Sequence, residues 1–208
     1  MQILSFDTCL DKTYITLRKD GDVIDSRIIN SDSENYHSAY LITTIAKVLN
    51  DNDLKPQSLD IIATDVGPGS FTGIRACTVV ARTMAQQLNI KTLGISSLEI
   101  LSQIDKDAVV VLDARKESGY LWDNEIKAAI PLVDIYNIVK GRKIITDDSL
   151  IDKLKGFSDN VISYKDGNYD LGVYLSDIAE READKAANWN DLKPLYIQPP
   201  PVSIKKGN

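Results

Sequence analysis

The sequence predicts an α/β protein built from two related lobes. Three observations carry this expectation. The first half reads strand, strand, strand, helix, strand, helix, strand. A segment early in the chain, ILSFDTCLDKTYIT (Ile3 to Thr16), is echoed by VVVLDARKESGYLW (Val109 to Trp122), with Asp7 matched to Asp113 and Tyr14 to Tyr120 at the same offset. A repeated supersecondary unit implies a repeated lobe, and 208 residues suffice for two small cores.

Taken in order, Ile3–Phe6, Thr13–Leu17 and Val23–Ile29 are β-rich runs, with Asp20-Gly21 as the clearest turn between them. Ser31 and Glu34 have the spacing of a capping box, and Ala39, Ile42, Ile45, Ala46 and Leu49 recur at helical intervals, predicting a helix over about 35–50. Leu59–Thr64 is a buried-type strand feeding the glycine loop GPGSFTG (Gly67, Pro68, Gly69, Ser70, Phe71, Thr72, Gly73). A helix over 72–88, a short strand at Lys91–Leu93 and a capped helix opening at Ser96-Ser97-Leu98-Glu99 follow. In the second half, Ile126–Ile130, Lys143–Ile145 and Val161–Ser163 read as strands, and Asp134–Val139 and Tyr169–Ala187 as helices. The expected division is 1–103 for the first lobe, 104–193 for a reduced second lobe, and 194–208 for a proline-rich arm.

Composition narrows the function. Hydrophobic residues at 43% and charged residues at 26% fit a globular chain, which sets aside disordered and fibrous classes. A net charge of −6 argues against broad independent binding to nucleic acid, whose affinity comes from cations. The only cysteines, Cys9 and Cys77, provide no disulfide framework and read as packing residues in a reducing compartment. With no basic leader and no apolar run of membrane length, the expected location is the cytoplasm, away from membranes.

The glycine loop lies where phosphate sites form, between a strand and a helix N-terminus. It does not fit a dinucleotide fingerprint, because no Asp or Glu occurs between Asp65 and Glu99 to hold a ribose, and Gly73 precedes Ile74-Arg75 rather than the Lys-Ser/Thr of a P-loop. Its glycines are expected to make a tight turn that lets the helix lie close to the sheet, with contact to a ligand or partner as the other role; Ser70 and Thr72 are candidate caps. His37 is the only histidine, which excludes His-based metal clusters and Ser-His-Asp triads. No metal site is expected on this chain. Asp7-Thr8 and Asp113 each end a strand before a hairpin, a place where carboxylates hold phosphate-bound or hydrated cations, but no GGxxxN-like adenosine loop accompanies them. From Ile74 to Leu88 the only charges are Arg75 and Arg82, so the second helix is apolar on nearly every side and its second face is expected to meet another protein.

Asp7-Thr8, His37-Ser38, GPGSFTGIR (Gly67 to Arg75), Gly94-Ile95-Ser96-Ser97-Leu98-Glu99, Asp113-Ala114-Arg115 and Pro194-Leu195-Tyr196-Ile197 together resemble the bacterial TsaB (YeaZ) family. The resemblance implies an actin-like (sugar kinase/Hsp70-type) fold. It also implies membership of the complex that places threonylcarbamoyl on adenosine beside the anticodon of ANN-decoding tRNAs. The family's members are non-catalytic; they dimerise with a paralogous TsaD subunit, which carries the metal-binding histidines and active site, and an ATPase subunit, TsaE, joins the pair. Under that resemblance this chain binds no cofactor by itself, ATP and metal belong to the partners, tRNA is met through the complex, and a weak homodimer is expected. The partner contact is assigned to His37, Tyr40, Leu41 and Thr44 on the first helix and to Phe71, Arg75, Thr78, Ala81, Arg82 and Ala85 on the second; Asp7, Thr8 and Asp113 mark the nucleotide or phosphate vicinity. Cys77 departs from a frequent Gly, Gln198 from a common Arg, and the second lobe is short. The alternative function is a free-standing actin-like ATPase or small-molecule kinase.

Overall fold

The computed structural model describes residues 1–30 and 40–197, so His37, the Ser31/Glu34 cap and Gln198 lie outside the described residues. In the first lobe β1 (Gln2–Asp7), β2 (Thr13–Lys19) and β3 (Asp22–Ile29) form an antiparallel meander. Asp20 and Gly21 both take positive φ (50° and 96°), the two-residue turn whose twist suits a hairpin. After α1 (Leu41–Asp51), β4 (Ile61–Asp65) pairs parallel to β1, α2 (Phe71–Leu88) crosses back, and β5 (Lys91–Ile95) pairs parallel to β4. The sheet order is β3-β2-β1-β4-β5.

The second lobe repeats this plan. After α3 (Ser97–Ser102) come β6 (Val109–Asp113), β7 (Ser118–Trp122), β8 (Ile126–Pro131), α4 (Leu132–Val139), β9 (Ile144–Thr146), α5 (Ile151–Lys155) and β10 (Val161–Ser163). Their order, β10-β9-β6-β7-β8, is the first sheet's order read from the other edge. Two lobes with this repeated mixed sheet are the actin-like arrangement. The sequence echo is therefore real at the level of the hairpins, but their registers differ by one residue: Asp7 faces Tyr14, whereas Asp113 faces Gly119 and Tyr120 faces Leu112.

On one face of the first sheet, Leu4, Phe6, Ile15, Leu17 and Ile62 pack under α1 and α2. The opposite face, with Ile3, Tyr14, Ala63 and Leu93, is covered by α6 (Leu171–Arg181), whose Leu171, Leu175 and Ile178 complete a core shared with Val110, Leu112 and Ile145 of the second lobe, while α3 packs between α6 and the strands β6 and β7. Arg18 fixes α6 there: its side chain is 7% exposed and donates to Ser176 Oγ (3.0 Å), Glu180 Oε2 (2.8 Å) and Asp177. The helix expected over 169–187 ends at Arg181 and continues as a short 3-10 turn at Ala183–Lys185. No helix among the described residues is long and apolar enough to cross a membrane.

Candidate functional site

The glycine loop sets α2 on the first hairpin. Ser70 caps the helix, its Oγ accepting from Gly73 N at 3.3 Å, and its own N–H donates to Cys9 O at 2.8 Å. Gly73 allows the first turn of α2 to press on the backbone of Thr8, whose Oγ1 donates back to Gly73 O at 3.0 Å. The expected role of the loop, a tight turn that brings helix to sheet, is what the geometry shows. Asn89 closes α2 in a left-handed conformation (φ 55°).

Beneath this contact lies a buried acidic and thiol cluster at the carboxyl ends of the parallel strands β1 and β4. Asp7 Oδ1 accepts from Cys9 N, and Asp65 Oδ1 accepts from Gly67 N (2.6 Å) and Ser97 Oγ (2.8 Å), with Ser97 Oγ also 2.7 Å from Oδ2. Both carboxyls are fully enclosed. Burial, reinforced by the nearby Cys77 thiol, pushes Asp7 up to about 7; burial, reinforced by Asp7, pushes Asp65 well above the usual carboxylate range. Burial also raises the Cys9 thiol, while at Cys77 burial is outweighed by hydrogen bonds from Cys9, Thr64 and Thr8, leaving that thiol below its ordinary value.

A cleft of about 1320 Å³ runs between the lobes, walled by Cys9, Leu10 and Asp11, the loop at 68–72, and Asp113, Arg115, Lys116, Asp147 and Ser149. Asp113 lines this cleft: it receives Arg115 N at 2.7 Å and Ser149 Oγ at 3.4 Å, and its N–H donates to Asp147 Oδ2 at 2.8 Å. The placement of Asp7 and Thr8 there needs correction. Both are buried, 1% exposed, because Thr8 turns to Gly73 O and Asp7 caps its own turn, and the cleft wall beside them is made by the next three residues.

The second predicted site is the outer face of α1 and α2. Tyr40 (57% exposed), Phe71 (45%) and Arg75 lie on it, Arg75 stacking over the Phe71 ring at 4.0 Å; Thr44 is half-buried. Four other residues assigned to the contact are corrected: Leu41, Thr78, Ala81 and Ala85 are buried against the chain's own sheet. Helical phase decides this, since Ile74, Cys77, Thr78, Ala81 and Ala85 form one stripe that the sheet occupies. Arg82 is also turned inward, toward Leu192 O (3.5 Å) and the Trp189 ring (5.7 Å), because the segment at 189–195 returns to cover that flank of α2. The most exposed large apolar residues on the two helices are ones not assigned to the contact, Ile42 (63%) and Val79 (62%). Phase was the available signal: Val79 lies one turn beyond Arg75.

Residues 23–133, just over half of the chain, match the family model described as TsaD, tRNA N6-adenosine threonylcarbamoyltransferase. The tRNA threonylcarbamoyladenosine biosynthesis protein TsaB of Bacillus subtilis (strain 168) is 35% identical over 124 residues, 58% of this chain and 53% of that protein. The chain belongs to the TsaB (YeaZ) family.

The TsaB protein of Buchnera aphidicola subsp. Schizaphis graminum is 28% identical over 173 residues, 79% of this chain and 78% of its own length. The alignment thus spans about half the length of the Bacillus relative and more of the Buchnera one. Among solved structures, YeaZ from Pseudomonas aeruginosa superposes with a TM-score of 0.67 at 18% identity, covering 94% of this chain and 99% of that one, which establishes the shared TsaB/YeaZ fold. Within that fold Cys77 lies in the second turn of α2, directly against the Asp7-Thr8-Cys9 turn.

Proposed function

We propose that the chain is a non-catalytic partner subunit in the formation of N6-threonylcarbamoyladenosine on ANN-decoding tRNAs. It pairs with a TsaD-type catalytic subunit through the outer face of α1 and α2, and a TsaE-type ATPase joins that pair. ATP, the metal of the reaction and tRNA are engaged through those partners. The observation that carries this reading is the set of exposed apolar residues Tyr40 and Ile42 at the start of α1 and Phe71 and Val79 on α2, two helices that cover the same face of the first sheet. A lone domain seldom leaves such residues together on one face unless a partner covers it. Weak self-association of the isolated chain through the same face follows.

A free-standing ATPase or kinase is favoured by one feature, the interlobe cleft with Asp113, Asp147 and Ser149 on its wall. The two readings part on a reconstitution. With purified TsaD- and TsaE-type subunits, an ANN-decoding tRNA, ATP and a threonylcarbamoyl donor, modified adenosine should form only when this chain is added, and the chain alone should release no phosphate from ATP. Turnover of ATP by the chain alone, with no effect on the modification, would support the rival.

A further inference from the structure

We propose that Asp7, Cys9 and Cys77 form a binding site for one thiophilic divalent cation of the zinc class. A carboxylate oxygen of Asp7 and the sulfurs of Cys9 and Cys77 all lie within 4.8 Å of one another, and all three residues are buried. Tetrahedral coordination with Zn–S near 2.3 Å and Zn–O near 2.0 Å brings ligand atoms to about 3.5 Å apart, so the cluster needs side-chain adjustment and no rearrangement of the fold.

A second observation points to a ligand. Asp7 Oδ2 is enclosed and its placement gives it no hydrogen-bond partner among the described residues; the groups around it, Asp65 and Cys9, are themselves acids and can satisfy it only by keeping their own protons. A carboxylate oxygen enclosed among acidic groups is costly, and a cation relieves that cost directly. Two sulfurs and one oxygen favour Zn²⁺, Co²⁺ or Cd²⁺ over Mg²⁺ or Ca²⁺, which prefer oxygen alone. Asp65 then serves as the outer partner that orients Asp7. Cys9 lines the interlobe cleft, which provides the way in. On binding, the dication replaces the two thiol protons, which leave to solvent.

The test uses the full chain, metal-free, under anaerobic reducing conditions. Titration with Co²⁺ should give a near-ultraviolet thiolate-to-cobalt charge-transfer band and tetrahedral visible bands that saturate at one equivalent and vanish when Zn²⁺ is added. Cys9→Ser and Cys77→Ser should each weaken Co²⁺ binding by tenfold or more, and Asp7→Asn should do the same while sparing the sulfur bands. The absence of a charge-transfer band in the unmutated chain, or an unaltered band in both serine variants, would overturn the proposal. Should a variant fail to fold, the unmutated chain still decides: its melting temperature should rise with equimolar Zn²⁺ and not with Mg²⁺, and a midpoint that Zn²⁺ leaves in place contradicts the site.

Discussion

The carbonyl oxygen of Thr8 lies 1.9 Å from the point that a Cβ on Gly73 would occupy. This approach joins the first hairpin to the first turn of α2. The carbonyl has little freedom to withdraw, because Thr8 Oγ1 is bonded to Gly73 O and the neighbouring Cys9 O accepts from Ser70 N. Gly73→Ala should therefore destabilise the chain by about 3 kcal/mol, the upper end of overpacking costs. Gly156→Ala is the control: at φ −67° its nearest contact is an ordinary 3.7 Å, so its effect should stay within about 1 kcal/mol. Urea denaturation of the two variants beside the parent checks both.

Arg18 gives a second prediction. Its buried guanidinium holds α6 to the first sheet through Ser176, Asp177 and Glu180, but Asp177 and Glu180 are 50% and 33% exposed, so water takes up part of the loss. Arg18→Ala should cost about 2 kcal/mol, below the full penalty for breaking an enclosed pair. Glu180→Gln should cost about 1 kcal/mol or less. If both variants melt like the parent, Arg18 does not anchor α6.

A third concerns acid. The Arg27 guanidinium, hydrogen-bonded to Asp25 at 2.7 Å, holds that carboxyl below its ordinary range despite partial burial, with Asn52 assisting. A carboxyl depressed in the folded state contributes stability above the unfolded pKa of about 4, and that stability is lost as pH falls through the folded value. Arg27→Gln should consequently flatten the stability profile below about pH 4. An identical acid limb in the variant would show that the pair is not formed in solution.

The first sheet was legible because its strands carry local signals: β-branched runs, the Asp20-Gly21 turn, and the Ser70 and Ser96 caps all act within a few residues. The two-lobe plan was legible from the echo of Asp7 and Asp113, although turns of different length shift the second hairpin by one residue. The outward face of α2 was misread because a helix apolar on nearly every side does not show by composition which face turns out, and phase places Ala81 and Ala85 over the sheet. Its second apolar flank is explained by residues 189–195, which return from the far end of the chain and leave no local pattern. The Asp7, Cys9 and Cys77 cluster was hidden for the same reason: α2 brings Cys77 to the hairpin only because Gly73 permits the approach. The five-residue α5 is too short for periodicity to mark.

The most direct test of the account measures binding of the TsaD-type subunit by calorimetry, with melting temperatures recorded in parallel, for Val79→Asp and Ala81→Arg. Val79 is 62% exposed on the outer stripe and Ala81 is 0% exposed over the sheet. Val79→Asp should melt within a few degrees of the parent and weaken binding about a hundredfold, the loss expected when a charge replaces an apolar anchor at the centre of an interface. Ala81→Arg should instead lower the melt severely, because an unpaired charge enters the core. Unchanged affinity in a well-folded Val79→Asp variant would contradict the central claim that the outer face of α1 and α2 is where the partner binds.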